Sequence, residues 1–329
     1  MDHRLVLATG AAFLALSALS GPADAQVRWD MPTEQAQTSL TGIADLAFAD
    51  KVRERTGGAI DITVHFGGSL GFKSRDQYDA VGTGAVVLAD SYTGPLVGFD
   101  PIWQVSALPF LTSGIDDAWR LYEAAKPHYE RILDGENQVL LYTIPWTPSG
   151  IWANEAITTP ADLEGLKIRT FDPLGQQTFS AAGAAPVILS FTDVVPQLTT
   201  GGISAVLTSA EGGYQNKFPD LLSHYVVIDY ASPLSIVHIN KDVWEGLPEE
   251  QRTAIREAAA EVEAMIWQQA TTREQENFAK MREAGVTIVE TPSEEMMATL
   301  RTSAEAAIAE WTSKAGDAGT EILATYRAN

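Results

Sequence analysis

Hydrophobic positions along the chain switch between two spacings, one typical of helices and one typical of strands. Leu40, Ile43 and Ala47 follow the helical spacing and predict a helix over residues 36–55, while residues 60–66 alternate and predict a strand. Strands and helices continue to alternate, which implies a mainly parallel sheet covered on both faces. Further strands are predicted at 27–31, 85–89, 138–144, 151–153, 166–171, 185–189, 203–208, 226–229, 235–239 and 286–289, and further helices at 74–81, 115–134, 174–182 and 192–198.

The last third of the chain is dominated by helical pattern. Residues 248–284 contain neither proline nor glycine, and they predict one helix of about 37 residues, near 55 Å long at 1.5 Å per residue. Ala254, Ala258 and Val262 begin an apolar stripe, but no clear heptad lasts four repeats. A long helix that lies across two lobes of the same chain is therefore favoured over a helix that pairs in a coiled coil. Residues 293–326 predict a final helical segment, with candidate breaks at Gly316 and Gly319.

The first 25 residues have the features of an export signal. Arg4 precedes an apolar run of about 15 residues, which is short for a membrane span. Residues 23–25 then offer a small-x-small cleavage pattern, which predicts a mature start at Gln26. An uncleaved anchor helix is the alternative. The chain contains no cysteine, so neither disulfides nor thiolate metal sites support the fold. We expect a periplasmic protein.

Size and charge narrow the function further. A mature chain of about 300 residues exceeds a typical single core, so two lobes are expected. The formal net charge of −21 makes nucleic acid and anionic lipid poor partners. A small anion can still bind, because exposed charges more than about 10 Å away are largely screened.

Residues 158–171 carry the strongest chemical signal. Thr159 can cap a short helix that begins at Pro160, with Asp162 three residues after the cap. The strand predicted after it is interrupted by Arg169. A buried arginine needs an anionic partner, and its guanidinium offers parallel N–H donors that match the two oxygens of a carboxylate. That carboxylate can belong to the protein, as a structural ion pair, or to a ligand.

Four segments match a known family pattern in order: 159–169 (TPADLEGLKIR), 183–187 (GAAPV), 191–201 (FTDVVPQLTTG) and 240–248 (NKDVWEGLP). With them, the chain resembles the DctP family from about residue 27 to residue 320. This family comprises the extracytoplasmic solute-binding subunits of tripartite ATP-independent periplasmic (TRAP) transporters. The resemblance implies an α/β fold of the periplasmic-binding-protein type, with two lobes, crossing hinge strands, a long helix spanning both lobes and a ligand cleft that closes by hinge motion.

The resemblance also implies boundaries and a main anchor. We expect a signal peptide at 1–25, lobe I at 26–146 plus about 235–274, and lobe II at 147–234 plus about 275–329. Arg169 falls on the family arginine that binds the ligand carboxylate. Thr208 stands where relatives often place an asparagine that contacts the ligand, and uncharged Ser149 lies near the place of a second ligand arginine. The ligand is therefore expected to carry one carboxylate.

The remaining candidate contacts are polar or aromatic. An aromatic-lined cleft favours a flat or apolar acid over a sugar acid, although each aromatic can instead belong to the core. Trp103 is a further aromatic that could reach the cleft, and Glu34 could bind a ligand hydroxyl or face solvent. The predicted ligand-binding residues are Arg169, Thr208, Ser149, Gly150, Trp152, Phe171, Trp146, Tyr92 and Glu34.

The function implied by the resemblance is capture of a small organic acid for delivery to the membrane subunits of a TRAP transporter. Aliphatic, hydroxy, keto and aromatic acids all fit a single arginine, and no covalent chemistry is expected. A signalling role with the same ligand stays open. We predict a monomer without a cofactor or a metal site, and a cation beside the ligand carboxylate is left open.

An enzymatic alternative comes from residues 67–71, which fit the G-x-S-x-G elbow of α/β-hydrolases and would make Ser69 a nucleophile. A strand precedes the motif, as the elbow requires. However, Gly71 and Phe72 delay the helix that should begin directly after the serine. A secreted serine esterase is therefore the alternative function.

Overall fold

The computed structural model describes residues 26–328, so the predicted signal peptide lies outside the described residues. The fold is mixed α/β. The strands are β1 (Val27–Pro32), β2 (Ile60–His65), β3 (Leu88–Tyr92), β4 (Gln138–Pro145), β5 (Ser149–Ala153), β6 (Ile168–Thr170), β7 (Val187–Ile188), β8 (Ala205–Ser209), β9 (His224–Val226), β10 (Leu234–Asn240) and β11 (Thr287–Val289). The α-helices are α1 (Leu40–Arg55), α2 (Ser74–Gly82), α3 (Ile115–Gly135), α4 (Pro173–Ala181), α5 (Phe191–Thr200), α6 (Ala210–Gln215), α7 (Lys241–Gly246), α8 (Glu249–Glu283) and α9 (Glu294–Ala328).

The sheets are not mainly parallel, so that prediction was wrong. The three sheets have the strand orders β1-β2, β3-β10-β4 and β11-β9-β5-β8-β6-β7. The parallel pairs are β1–β2, β6–β7, β6–β8 and β9–β11, whereas every antiparallel pair includes β5 or β10. Each of these two strands directly follows a connection between two sheets, and each runs antiparallel to both of its neighbours.

Two connections carry the chain between the lobes. The first, residues 146–148, leads from β4 in one sheet to β5 in another, and the second, residues 227–233, returns from β9 to β10. The connections are hydrogen-bonded to each other, since the Trp146 amide donates to the carbonyl oxygen of Pro233 at 2.9 Å, and the Ser149 amide at the start of β5 donates to that of Ala231 at 3.0 Å. They form the crossing strands of a two-lobed periplasmic-binding-protein fold. We propose that the lobe boundaries lie in these connections.

The long helix predicted over residues 248–284 is α8, 35 residues from Glu249 to Glu283. It contacts both lobes. The Trp267 indole donates to the Thr143 hydroxyl at 3.2 Å on the β4 side. Farther along, the Arg273 guanidinium pairs with the Glu211 carboxylate of α6 at 2.6 Å. The helix therefore ties the two lobes together, as the resemblance implied.

The final helical segment, α9, contains one break. Gly316 has non-helical angles, φ 56° and ψ −138°, which an L side chain rarely adopts. The break predicted at Gly319 is absent: a Cβ there would lie 2.5 Å from the Cβ of Ala315, so this glycine permits close packing. Near its end, the Tyr326 hydroxyl donates to the carbonyl oxygen of Leu111 at 3.2 Å. This contact fixes the last turns of α9 against the loop before α3.

The hydrophobic core has two parts. The larger part runs through both lobes and includes Met31, Phe48, Ile151 and Phe179. The smaller part lies in the second lobe around Trp152. Over residues 26–328, we find no helix with the length and apolar character needed to cross a bilayer.

Candidate functional site

Arg169 is held by the local structure that its neighbouring sequence predicts. The Asp162 carboxylate accepts from the amides of Thr158 and Thr159 at 2.9 and 2.8 Å, and these bonds lower the pKa of Asp162. The resulting capping box starts a 3₁₀ helix at Pro160. The chain then enters β6, where Arg169 lies between β7 and β8 and is only 4% exposed. The side chain is thus held on a buried strand that has a neighbour on each side.

The Arg169 guanidinium is buried, and no carboxylate of the described residues is its partner. Its Nε donates to the carbonyl oxygen of Leu189 at 3.0 Å, and its Nη1 donates to that of Leu207 at 3.3 Å. Among residues 26–328, no carboxylate oxygen lies within 4.0 Å of its nitrogens, so the predicted alternative of a structural ion pair is not formed. Burial lowers the pKa of Arg169 to about 10. The group still carries its charge at neutral pH.

A chamber opens in front of this cation. The chamber has a volume of about 30 Å³. The Arg169 Cζ lies 5.6 Å from the Phe191 ring centroid and 6.0 Å from that of Phe171. The two further rings, Tyr92 and Trp146, meet edge to face at 6.1 Å between centroids. The chamber is lined by Gln35, Tyr92, Trp146, Ser149, Arg169, Phe171, Phe191, Thr208, Ser209 and Pro233.

An outer vestibule shares several wall residues with the chamber and has a volume of about 240 Å³. Glu34 lies on its wall and is 8% exposed. Its Oε2 accepts from the Ser74 amide at 2.8 Å and from the Ser74 hydroxyl at 2.6 Å, whereas its Oε1 is buried without a partner among the described residues. The vestibule wall therefore carries both a cation, Arg169, and an acceptor with spare capacity, Glu34.

Tyr92 adds a polar group inside the chamber. Its hydroxyl is buried, and within the described part of the chain it has no hydrogen-bond partner. Burial, followed by the charge of Asp172, raises the pKa of Tyr92, so the hydroxyl stays protonated and can donate. The indole Nε1 of Trp146, by contrast, already donates to the Ser235 hydroxyl at 3.2 Å.

The structure brings most of the sequence-predicted residues together. Arg169, Thr208, Ser149, Phe171, Trp146 and Tyr92 line the chamber, and Glu34 lines the vestibule. Their contact with a ligand stays a prediction.

Three predicted residues do not reach either cavity, and each has a packing reason. Trp152 is three positions beyond Ser149 on β5, so its side chain points to the opposite face. There it packs within the smaller core, and its indole donates to the carbonyl oxygen of Ser209 at 3.1 Å. Gly150 is not part of the cavity walls, and a Cβ there would lie 2.5 Å from the Tyr225 ring. Trp103 is fully buried and stacks on another ring inside the first lobe.

Four lining residues were not predicted from the sequence: Gln35, Phe191, Ser209 and Pro233. Phe191 opens one of the segments that match the family pattern, and Gln35 and Ser209 each follow a predicted residue directly. A signal was therefore present for these three. Pro233 reaches the chamber only because the second connection between the lobes passes beside the first.

The lobes are closed around the cavities. At the rim, the Lys73 ammonium before α2 lies 2.7 Å from the Asp193 carboxylate of α5. The Leu40 amide donates to the Glu211 carboxylate at 2.9 Å, and the Thr38 hydroxyl donates to the Gln215 side chain at 2.5 Å. The Lys73–Asp193 pair thus joins the two lobes at the rim, and the other two bonds join them beside Arg273 of α8.

The Ser69 elbow is not formed, so this alternative was wrong. Ser69 lies in an exposed turn between glycines with positive φ, and α2 begins only at Ser74. Among the hydrogen bonds found over the described residues, none joins Ser69 to a histidine. The same part of the chain shows no group of three or more histidine, cysteine, aspartate and glutamate side chains placed to hold a metal ion.

The comparisons with known proteins agree with this architecture. A family model described as bacterial extracellular solute-binding protein, family 7 (DctP), matches residues 31–314. The chain belongs to this family. A solute-binding protein of Chromohalobacter salexigens is 30% identical over 263 residues, which are 74% of this chain and 73% of that protein. The C4-dicarboxylate-binding periplasmic protein DctP of Rhodobacter capsulatus is 28% identical, over 73% of each chain.

Solved structures of DctP proteins match over nearly the whole described chain. DctP7 of Bordetella pertussis, an extracytoplasmic solute receptor that binds pyroglutamic acid, is 28% identical with a TM-score of 0.88, covering 92% of this chain and 99% of that one. A marine metagenome TRAP solute-binding protein specific for pyroglutamate is 30% identical with the same TM-score, covering 93% and 100%. This DctP protein is thus a periplasmic solute-binding receptor of the TRAP type and not an enzyme.

Proposed function

We propose that this protein captures a small cyclic monocarboxylate through Arg169, and that pyroglutamate is the first ligand to test. The observation that carries the proposal is the buried Arg169 guanidinium, which has no acid partner among the described residues. An unpaired buried cation is costly, and a ligand carboxylate would remove that cost. Closure of the lobes around the anion would then be stabilised by the ligand itself.

A single carboxylate fits the charges of the chamber better than two. Arg169 is the one cationic side chain in the chamber wall as described, and the other wall residues are uncharged. A second ligand carboxylate would be desolvated without a partner, which costs several kcal/mol. The small inner space, bounded by Tyr92, Trp146, Phe171 and Phe191, favours a compact ring over a sugar acid.

The uncharged end of the ligand is expected to carry both a donor and an acceptor. The free Oε1 of Glu34 can accept from an N–H or O–H group, and the Tyr92 hydroxyl can donate to a carbonyl oxygen. Pyroglutamate carries a carboxylate, a lactam N–H and a lactam C=O. Three structures that are 26–30% identical to this chain are described as pyroglutamate-binding proteins, which supports the choice.

Delivery of the bound acid would follow the TRAP pattern. TRAP receptors pass their ligand to membrane subunits, and we infer that this protein does so as a monomer. Size-exclusion chromatography coupled to light scattering tests the oligomeric state. A mass of one chain, with and without ligand, is expected. A stable dimer at micromolar concentration would contradict this part of the proposal.

The ligand proposal is tested by calorimetric titration at pH 7.5 with four compounds. We expect pyroglutamate to bind with a dissociation constant near or below about 1 μM, equivalent to about −8 kcal/mol. Pyroglutamide and 2-pyrrolidinone keep the lactam but lack the carboxylate, and neither should bind measurably. Succinate should bind at least about 100-fold more weakly, because its second carboxylate has no partner.

Two outcomes would contradict the proposal. Equal binding of pyroglutamate and pyroglutamide would show that the carboxylate is not the anchor. Succinate binding tighter than pyroglutamate would show that the site accepts two charges. A thermal-shift screen of other monocarboxylates at the same pH then finds the true ligand, which at 100 times its dissociation constant should add about 2.7 kcal/mol of stability.

A further inference from the structure

A second cavity lies on the other side of the connection that borders the ligand chamber. Trp146 and Ser149 face the chamber, whereas Thr147 and Pro148 between them line this second cavity. Its remaining walls are the first turn of α3, residues 114–116, and residues of α8. The cavity has a volume of about 170 Å³, which is more than a single water molecule requires.

Two wall residues carry oxygen atoms without partners. The Thr147 hydroxyl is buried in a residue that is 1% exposed, and within the described chain it makes no hydrogen bond. The Glu274 Oε1 of α8 is also buried and has no partner among the same residues. Buried polar groups are almost always satisfied by protein, water or an ion, so two orphaned oxygens on one cavity point to something that occupies it.

The surroundings of Glu274 are acidic. No lysine, arginine or histidine in residues 26–328 forms an ion pair with it. Asp229, in the loop between β9 and β10, lies close enough to add to the effect of burial, and together they raise the pKa of Glu274 to about 7. Asp116 lies on the cavity wall at the start of α3. A cation would relieve the repulsion between Glu274 and Asp229.

We propose that this cavity binds a monovalent cation, with the Glu274 carboxylate and the Thr147 hydroxyl as ligands. Oxygen donors suit hard cations such as Na⁺. Ca²⁺ needs six to eight oxygen ligands, several of them carboxylates, and over residues 26–328 no cluster of three acidic or histidine side chains meets that need. A single carboxylate, a hydroxyl and water complete a monovalent site.

The position gives the cation a structural effect. Thr147 belongs to the first connection between the lobes, and Glu274 belongs to the helix that contacts both lobes. A bound cation would join the connection to α8 at the place where hinge motion is expected. The site is separate from the chamber and does not depend on which acid binds there.

The test compares Na⁺ with choline, at equal chloride concentration, in ligand-free protein at pH 8. We expect 150 mM Na⁺ to raise the unfolding midpoint by about 2 °C or more relative to choline. The ²³Na NMR signal should broaden in the presence of protein. Glu274→Gln should abolish both effects, while Glu283→Gln, an exposed glutamate on the same helix, should keep them.

A second variant keeps the proposal testable if Glu274→Gln does not fold. Thr147→Val conserves shape and removes an unpaired hydroxyl, so without a cation it should leave stability unchanged or raise it. With the proposed site, it should weaken Na⁺ binding at least several-fold. Equal midpoints in Na⁺ and choline, with an unbroadened ²³Na signal in wild type, would overturn the proposal, and so would Na⁺ effects that survive both Glu274→Gln and Thr147→Val.

Discussion

Replacing Arg169 by methionine is expected to abolish tight binding of the acid while the protein still folds. Methionine keeps a similar unbranched shape but has no charge and no N–H donor. The change removes the donors to the carbonyl oxygens of Leu189 and Leu207. It also removes a buried cation that lacks an acid partner among the described residues. The two effects on stability have opposite signs, so we expect the ligand-free unfolding midpoint to change little.

The size of the binding loss follows from the burial of the cation. A pKa of about 10 for Arg169, set against the ordinary arginine value, means that burial disfavours the charge by about 3–5 kcal/mol in the ligand-free protein. A ligand carboxylate recovers much of this energy. Without the guanidinium, the carboxylate would itself be buried unpaired. We therefore expect a loss of about 2–5 kcal/mol, or about 30-fold to several-thousand-fold in dissociation constant.

Titration calorimetry with pyroglutamate, or with the acid found by screening, measures the effect. Arg169→Lys keeps a charge but loses the planar fork, so it should retain part of the affinity. Lys167→Gln removes an exposed cation two residues earlier and serves as the matched control, with affinity unchanged. If folded Arg169→Met bound the acid within about threefold of wild type, the assignment of Arg169 as the anchor would be wrong.

Two further predictions concern closure and pH. The Lys73–Asp193 pair joins the lobes and is exposed, with 46% of each side chain accessible. Asp193→Asn should therefore speed ligand release by about 1.4- to 5-fold in stopped-flow experiments at low salt. An unchanged release rate would show that the pair does not hold the closed form. Burial, followed by the charge of Asp90, raises the pKa of Asp45, and burial raises that of Asp90 to about 6. Because the folded state then holds these protons more tightly than the unfolded chain, whose aspartates titrate near pH 4, the contribution of these two aspartates to the unfolding free energy should fall as pH rises from about 4 through 6. Relative to wild type, Asp45→Asn should therefore gain stability as pH rises and be more stable at pH 7, whereas exposed Asp50→Asn should not; equal pH profiles for Asp45→Asn and wild type in chemical denaturation would refute this.

The sequence predicted the fold well where the hydrophobic pattern agrees with the positions of helix caps, proline and glycine. The capping box at Thr159 and Asp162 is present as expected, and so is the long helix without internal proline or glycine. The strand predicted at 85–89 is instead β3, Leu88–Tyr92. Its second half is polar but buried, because Asp90 accepts from the Thr33 hydroxyl and Ser91 bonds His238. Hydropathy cannot find a strand whose polar side chains are buried and hydrogen-bonded inside the protein.

Two short helices, α6 and α7, were missed for related reasons. Each has its cap, since the Ser209 hydroxyl accepts from the Gly212 amide and the Asn240 side chain accepts from that of Val243. Yet α6 contains two adjacent glycines, which disfavour a helix. The packing explains them: a Cβ on Gly213 would lie 2.2 Å from the Trp152 ring. Such a tertiary contact is invisible in sequence spacing.

The sequence predicted the chemistry of the candidate site better than the directions in which its side chains point. Arg169 stood out because a charge in a buried strand demands a partner. Trp152 was misplaced because sequence proximity to the crossing does not say which face of β5 a side chain occupies. The contact of Tyr92 with Phe171, at 5.8 Å between ring centroids, joins residues 79 positions apart and needed the closed lobes to appear.

A crystal structure with pyroglutamate tests most directly whether the Arg169 guanidinium binds the carboxylate of the acid. We expect the two carboxylate oxygens about 2.7–2.9 Å from the guanidinium nitrogens, with the lobes closed and the lactam directed toward Glu34 or Tyr92. A ligand carboxylate bound away from Arg169, with the guanidinium paired instead to Asp172 or another acid of the protein, would contradict it.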